Sequence, residues 1–250
     1  MYLSSARQIP EALRLMEQAI ERDPRYGPAL AWAAFCCFRL LLDGRSDDRE
    51  ADRLKGTEFA RRALEVAGDD PVTLANAAVA LAYFGEDIGA MMALVDRALA
   101  LNPNFARGWH ISSSLRVWAG QPDIAIEHAE AALRLSPRAR VGISRNDIGC
   151  AHFLSRRFAE AVPKLLLATQ QDPGLSISYQ LLAACYAHMG RLDARDRRAA
   201  ARHYLRRDTR RQLPAEPRAP RAIAVGPAAG SRRGDMSQTR HLAAILAADV

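Results

Sequence analysis

Cysteine is scarce in this sequence, and its spacing points to neither redox nor metal chemistry. Cys36, Cys37, Cys150 and Cys185 form no CxxC pair and lie in apolar stretches, so buried free thiols in a reducing compartment are expected. Long apolar runs are missing too. The longest, Ala29–Phe38, is broken by Arg39, whereas a bilayer-spanning helix needs about 20 apolar residues. The opening "MYLSSARQIPEALRLMEQ" has no basic, then apolar, then small-residue order of a secretory signal, and a cytoplasmic chain is expected. The six histidines, His110, His128, His152, His188, His203 and His241, make no HExxH, no i/i+4 pair and no Cys/His cluster, which excludes the usual zinc spacings. Neither GxxxxGK[ST] nor GxSxG occurs. No metal site and no cofactor is expected, and acidic pairs such as "GEDIG" at 85–89 and "GDD" at 68–70 read as turn and helix-cap residues rather than general acids.

Charge is present but unevenly placed. The net charge is +7, yet Arg191–Val250 alone holds 14 Lys+Arg against 6 Asp+Glu, leaving 21 basic against 22 acidic residues in the rest. Any electrostatic attraction to nucleic acid or anionic lipid therefore belongs to the tail. The tail stretch "RRDTRRQLPAEPRAPRAIAVGPAAGSRRGD" has no helical period, and its Arg/Pro/Ala/Gly composition reads as a disordered linker. Residues 207–250 contain no aromatic side chain to stack on bases, which argues against the alternative of a nucleic-acid-binding arm.

The remaining sequence repeats itself. Prolines at Pro24, Pro71, Pro103, Pro137 and Pro173 follow related phrases: "EQAIERDP", "RALEVAGDDP", "RALALNP", "AALRLSP" and "LLATQQDP". Small or apolar residues recur 12, 8 and 5 positions before four of these prolines: Ala12/Met16/Ala19, Met91/Val95/Ala98, Ala125/Ala129/Ala132 and Ala161/Leu165/Ala168. Before Pro71 the set is Gly56/Ala60/Ala63, with three extra residues. A period of about 34 residues with this pattern resembles the tetratricopeptide repeat, a helix–turn–helix unit. The repeat from Ala106 to Pro137 carries it best, with Trp109 at position 4, Ser113 where glycine is usual at position 8, and Ala125 and Ala132 at 20 and 27; Gly149, Ala161 and Ala168 hold the matching places in the next.

Two antiparallel helices cannot hide their apolar stripes alone, so each pair must stack on its neighbours. Small residues at fixed places let the helices approach closely, and proline ends the second helix. The expected fold is all-α, a tetratricopeptide-repeat superhelix over residues 1–206, with Ala98, Ala125, Ala132, Gly149, Ala161 and Ala168 as packing positions. Helix 7–22 would be the second half of an incomplete repeat. Pairs would follow at 26–42 with 50–66, 72–84 with 87–100, 105–119 with 121–135, 142–155 with 158–171, and 175–189 with 191–206. Residues 207–236 are expected as linker and 237–250 as a separate fragment.

The stretches "DDPVTLANAAVALAYFGEDIGAMMALVDRALALNPNFARGWHISSSLRVWAGQPDIAIEHAEAALRLSPRAR" and "LAACYAHMGRLD" resemble a narrower relative. They are similar to the repeat region that follows the catalytic domain in bacterial class III adenylate/guanylate cyclases, over roughly residues 7–194. The closing "MSQTRHLAAILAADV" resembles the start of such a catalytic domain, where "LAAILAADV" forms the first strand. The resemblance implies that Asp249 matches a metal-binding aspartate of the family. It also implies that two aspartates hold two divalent ions that activate the ribose 3′-hydroxyl. The second aspartate and the nucleotide-binding residues have no match here, so no catalytic residue and no functional metal site are assigned. The expected function is a protein–protein interaction scaffold, the repeat module of a cyclase-like signalling protein. The alternative is a chain that itself makes cyclic nucleotide.

Position 5 of each first helix is expected to face the concave groove. There stand Asn76, His110, Asn146 and Gln180, flanked by Arg107, Ser114 and Cys150. A polar ladder of this kind suits hydrogen bonding to an extended peptide, a partner helix or a cyclase domain; the other reading is a plain solvated surface. Lysine is absent from these positions, so binding of a chaperone's C-terminal carboxylate is not expected. Trp32, Trp109 and Trp118 are expected to pack rather than to stack on a ligand.

Overall fold

The computed structural model describes residues 8–137, 142–173 and 175–190. The expected helix at 191–206, the linker at 207–236 and the fragment containing Asp249 lie outside the described residues.

The described residues form ten helices. They are α1 (Ile9–Arg22), α2 (Gly27–Leu42), α3 (Arg49–Ala67), α4 (Pro71–Phe84), α5 (Ile88–Leu101), α6 (Ala106–Trp118), α7 (Pro122–Leu135), α8 (Gly142–Leu154), α9 (Phe158–Gln171) and α10 (Ser176–His188). Each packs on the next in chain order. The first helices of the repeats, α2, α4, α6, α8 and α10, also pack serially on one another, whereas the second helices, α1, α3, α5, α7 and α9, hardly meet. Helices that touch on one side and spread on the other bend the stack, so the first helices line its inner face.

Local chemistry explains where the chain turns. Second helices end at Asp23, Asn102, Ser136 and Asp172, whose backbones leave the helical region with φ between −143° and −131° and whose N–H groups still donate to Ala19, Ala98, Ala132 and Ala168. Each precedes a proline of the repeat frame, and the proline ring disfavours helical geometry in the residue before it. First helices end differently. Gly85, Gly120, Arg156 and Gly190 all have positive φ, between 58° and 104°. Around the first three of these the backbone closes with paired bonds, such as Gln121 N–H to Arg116 O at 2.8 Å and Arg157 N–H to His152 O at 2.8 Å. This is the Schellman closure, which uses up carbonyls that the helix end leaves open. Asp48, Asp70 and Asp87 cap α3, α4 and α5 by accepting from Ala51, Thr73 and Ala90 backbone N–H groups; two of these aspartates belong to the acidic pairs of the sequence.

Small residues set the spacing. Ala98, Ala125, Ala132, Ala161 and Ala168 are at most 1% exposed. A Cβ at Gly149 would sit 2.5 Å from Leu165 Cγ, so α8 and α9 meet there at a distance only glycine permits. At the corresponding place in α6, Ser113 is buried and its hydroxyl donates to Ala125 O across the helix pair at 2.7 Å. A polar side chain thus replaces the glycine without leaving an unsatisfied group.

The apolar interior falls into two clusters. One runs from Ile9 in α1 to Leu115 in α6; the other runs from Val117 in α6 to Cys185 in α10. Trp118 packs against both clusters, and beside it a polar seam joins α6 to α8 through Ser114 with Asp147 and His110 with Ser144, while Ser112 with His128 and Ser113 with Ala125 O join α6 to α7.

Candidate interaction face

The inner face can be followed from α2 to α10. At its N-terminal end α2 places Trp32, Phe35 and Phe38 one helical turn apart. Trp32 meets Phe35 edge-on with ring centroids 5.6 Å apart, and Phe35 meets Phe38 at 5.5 Å. Phe38 reaches Tyr83 of α4 at 5.1 Å and Trp118 of α6 at 6.2 Å. Trp32, Tyr83 and Trp118 remain partly open to solvent. The result is a continuous aromatic strip across three first helices, of the edge-to-face kind that the ring quadrupole favours.

Arg107, at the start of α6, lies over this strip. Its guanidinium carbon is 4.3 Å from the Phe35 ring centre and 4.8 Å from that of Trp32. Its Nε and Nη2 donate to Asn76 Oδ1 on α4 at 3.1 and 2.8 Å. Asn76 is fully buried, and its Nδ2 has no hydrogen-bond partner.

Toward the C-terminal end the face turns polar. Ser114 of α6 donates to Asp147 Oδ2 of α8 at 2.7 Å. His110 Nδ1 lies 3.3 Å from the same oxygen and 3.4 Å from the buried hydroxyl of Ser144. Ser178 of α10 donates to Asn146 Oδ1 of α8 at 2.9 Å. Gln180 is half-buried on α10. The sequence reading had these polar side chains open to the groove. Instead Asn76 and Asn146 are buried, and Asn76, His110, Ser114 and Asn146 each bond to the first helix of a neighbouring repeat. First helices pack edge to edge along this row, so a polar residue here meets a neighbour before it meets water.

Sequence reasoning missed Asp147, which joins His110 to Ser114. The available signal was its place about one repeat beyond both residues. A serine, a histidine and an aspartate together invite comparison with a hydrolytic relay, but the geometry is wrong for one. Asp147 and Ser144 both approach Nδ1, whereas a relay puts carboxylate and nucleophile on opposite ring nitrogens. Among the described residues no group of three or more His, Cys, Asp or Glu side chains could hold a metal ion, and no helix is long and apolar enough to cross a membrane.

Trp109 packs edge-on against His128 at 4.8 Å and donates its indole N–H to Pro103 O at 2.8 Å. The cysteines are buried and unpaired. Burial pushes the thiols of Cys36, Cys37 and Cys150 up to about 12 and that of Cys185 to about 11. Cys150 therefore lies inside the packing and offers no reactive group to the groove.

No family model and no curated protein matches the sequence. Solved structures do. A human IFIT1 dimer with PPP-AAAA matches with a TM-score of 0.63 and 18% identity over 81% of this chain and 46% of that one. PilW, a widely conserved type IV pilus biogenesis factor, matches with a TM-score of 0.57 and 17% identity over 81% and 86%. TTC0263, a thermophilic TPR protein of Thermus thermophilus, matches with a TM-score of 0.55 and 19% identity over 72% and 91%. The chain thus spans about half the length of IFIT1, at 46%, and most of the other two. At these identities the likeness is one of fold: the described residues form an all-α, tetratricopeptide-type superhelix of antiparallel helix pairs.

Proposed function

We propose that the chain is a protein–protein interaction scaffold that receives a partner polypeptide on its first-helix face. The observation that carries this reading is the aromatic strip of Trp32, Phe35, Phe38, Tyr83 and Trp118, drawn from three helices, in which Trp32, Tyr83 and Trp118 are partly open to solvent over the buried Phe35 and Phe38. Large aromatic side chains with one flank buried and one exposed present apolar area at little entropic cost, the property of interface anchors. By contrast, exposed leucines such as Leu15, Leu54 and Leu101 sit singly on second helices, which is ordinary for a protein surface.

A photo-crosslinking residue placed at Tyr83, against the same residue at Leu101, tests the reading. Partner adducts are expected from position 83 and not from 101. Equal labelling at both, or none at 83, would remove the inner face from consideration.

The finer part of the proposal is that this scaffold is the repeat module of a class III cyclase-like signalling protein. It rests on the sequence resemblance over residues 7–194 and on the stretch at 236–250. Purified chain with ATP and Mn²⁺ is expected to yield no cyclic AMP, because the match supplies Asp249 without a second metal aspartate. A cyclase domain encoded beside the gene supports the assignment, and unrelated flanking sequence counts against it.

A further inference from the structure

The aromatic strip and one stretch of the C-terminal segment share a spacing. Pro214, Pro217 and Pro220 fall at every third residue of "LPAEPRAPR", residues 213–221. A polyproline II strand has three residues per turn and rises about 3.1 Å per residue, so such prolines line one side at intervals of about 9 Å. On the strip, the Tyr83 and Trp118 rings stand 6.3 Å apart and tilted by 53°, with Phe38 against both. Trp32 follows along α2 by way of Phe35, through ring contacts of 5.5 and 5.6 Å, and so lies at most about 11 Å from Phe38. The exposed rings thus form two stations, Tyr83 with Trp118 and then Trp32, about one proline interval apart.

We infer that the aromatic strip is a site for a segment with proline at every third residue, and that its resident occupant is residues 213–221 of the same chain. One proline enters the cleft between Tyr83 and Trp118 and the next lies beside Trp32. The inference rests on the scaffold reading and adds a regulation to it, since a partner must displace the resident segment. Aromatic-lined grooves take such segments because proline presets the backbone and little freedom is lost on docking. Position selects this occupant over others. Each first helix runs antiparallel to the second helix after it, so all first helices point the same way. His188, ending α10, therefore stands at the same edge as Trp118, ending α6, and Tyr83, near the end of α4. First helices about 10 Å apart put that edge of α10 roughly 20 Å from Trp118 and 30 Å from Tyr83. Residues 191–213 reach about 75 Å when extended. With 191–206 turned back as the expected helix, residues 207–217 still reach about 36 Å, against roughly 30 Å to Trp118. A tether of this kind holds the segment at an effective concentration of about a millimolar, which a second copy matches only at millimolar protein. Charge does not oppose the contact, because the first-helix cations Arg39 and Arg116 are paired with Asp43 and Asp96.

The test uses the full chain with benzoylphenylalanine in place of Tyr83, purified and irradiated at micromolar concentration, with adducts mapped by mass spectrometry. An adduct to residues 212–221 is expected in a monomer-sized product, at a yield that dilution leaves unchanged. It should vanish in the variant carrying Pro214→Ala, Pro217→Ala and Pro220→Ala, and the same probe at Leu101 should give none. Those three substitutions lie outside the ten helices, and circular dichroism checks that helix content is unaltered. A second readout needs no crosslinker. A fluorescein-labelled peptide of residues 210–222, followed by anisotropy, should bind the triple variant about tenfold more tightly than the unaltered chain. That is the scale for losing a tethered competitor held about tenfold above its own dissociation constant. The same peptide with its prolines replaced by alanine should bind neither chain. An adduct that survives the triple substitution, or one found only in a dimer-sized product that fades on dilution, overturns the inference. So does equal affinity of the peptide for both chains, or binding to neither. Adducts from position 83 to a foreign partner with none to residues 212–221 overturn the inference and leave the scaffold reading intact, whereas no adduct of either kind at position 83 removes both.

Discussion

Replacing Arg156 by glycine should make this protein more stable. Arg156 has φ of 58°, at the place where the other repeats put Gly85, Gly120 and Gly190. It closes α8 through its own N–H to Phe153 O at 2.9 Å and the Arg157 N–H to His152 O at 2.8 Å, bonds that glycine keeps. A side chain in the left-handed region costs about 1–2 kcal/mol. Glycine gives back about 0.5–1 kcal/mol of that through its freer unfolded chain. The net gain is therefore about 0.5–1 kcal/mol. In a domain of this size 1 kcal/mol moves the midpoint by about 2–4 °C, so Arg156→Gly should melt about 1–4 °C higher by differential scanning calorimetry. The reciprocal change, Gly120→Arg, should lower the midpoint by a similar amount. A fall in midpoint for Arg156→Gly, with helix content unchanged, refutes the argument that the turn dictates the residue.

Other expectations come from the packing and from buried groups. Gly149→Ala drives a methyl to 2.5 Å from Leu165 Cγ and should cost about 1–3 kcal/mol in guanidinium unfolding. Ala132→Leu, at a site 1% exposed, should cost a similar amount, about 1–3 kcal/mol, by the same overpacking. With thiols at about 11 to 12, Ellman's reagent should find almost no reactive cysteine in the native chain at pH 8 and all four after unfolding. Burial holds the imidazoles of His128 and His152 below their ordinary 6.5. The unfolded chain therefore binds more protons below pH 6.5, so stability should fall as pH drops through that value toward the lowered native ones. His128→Gln should flatten part of that slope in a series of melts.

The repeat frame was legible in the sequence because its determinants are local. Proline after the second helix and alanine at fixed offsets act within one hairpin, so α4 through α10 begin and end within about two residues of where the pattern puts them. The candidate face was harder to read. Periodicity places Asn76 and Asn146 on the correct edge of their helices. It says nothing about how closely the next first helix approaches, and that approach buries both residues. The left-handed turn at Arg156 was invisible for the opposite reason, since a residue unsuited to its backbone carries no signal of it. Trp32 and Trp118 were read as packing residues, and each does touch other rings. Their exposed flanks depend on the curvature of the stack, which emerges only when several repeats are assembled.

The polar seam between α6 and α8 has a consequence for cooperativity. Apolar contacts reform readily after small slips, but the bonds from Ser114 to Asp147 and from Ser144 to His110 are directional and compete with water. Heat or denaturant should open this joint first, leaving an N-terminal block that still holds the aromatic strip and a C-terminal block that melts on its own. A single equilibrium constant then describes neither half, and a partner seated on the N-terminal block would raise one transition while the other stays where it was.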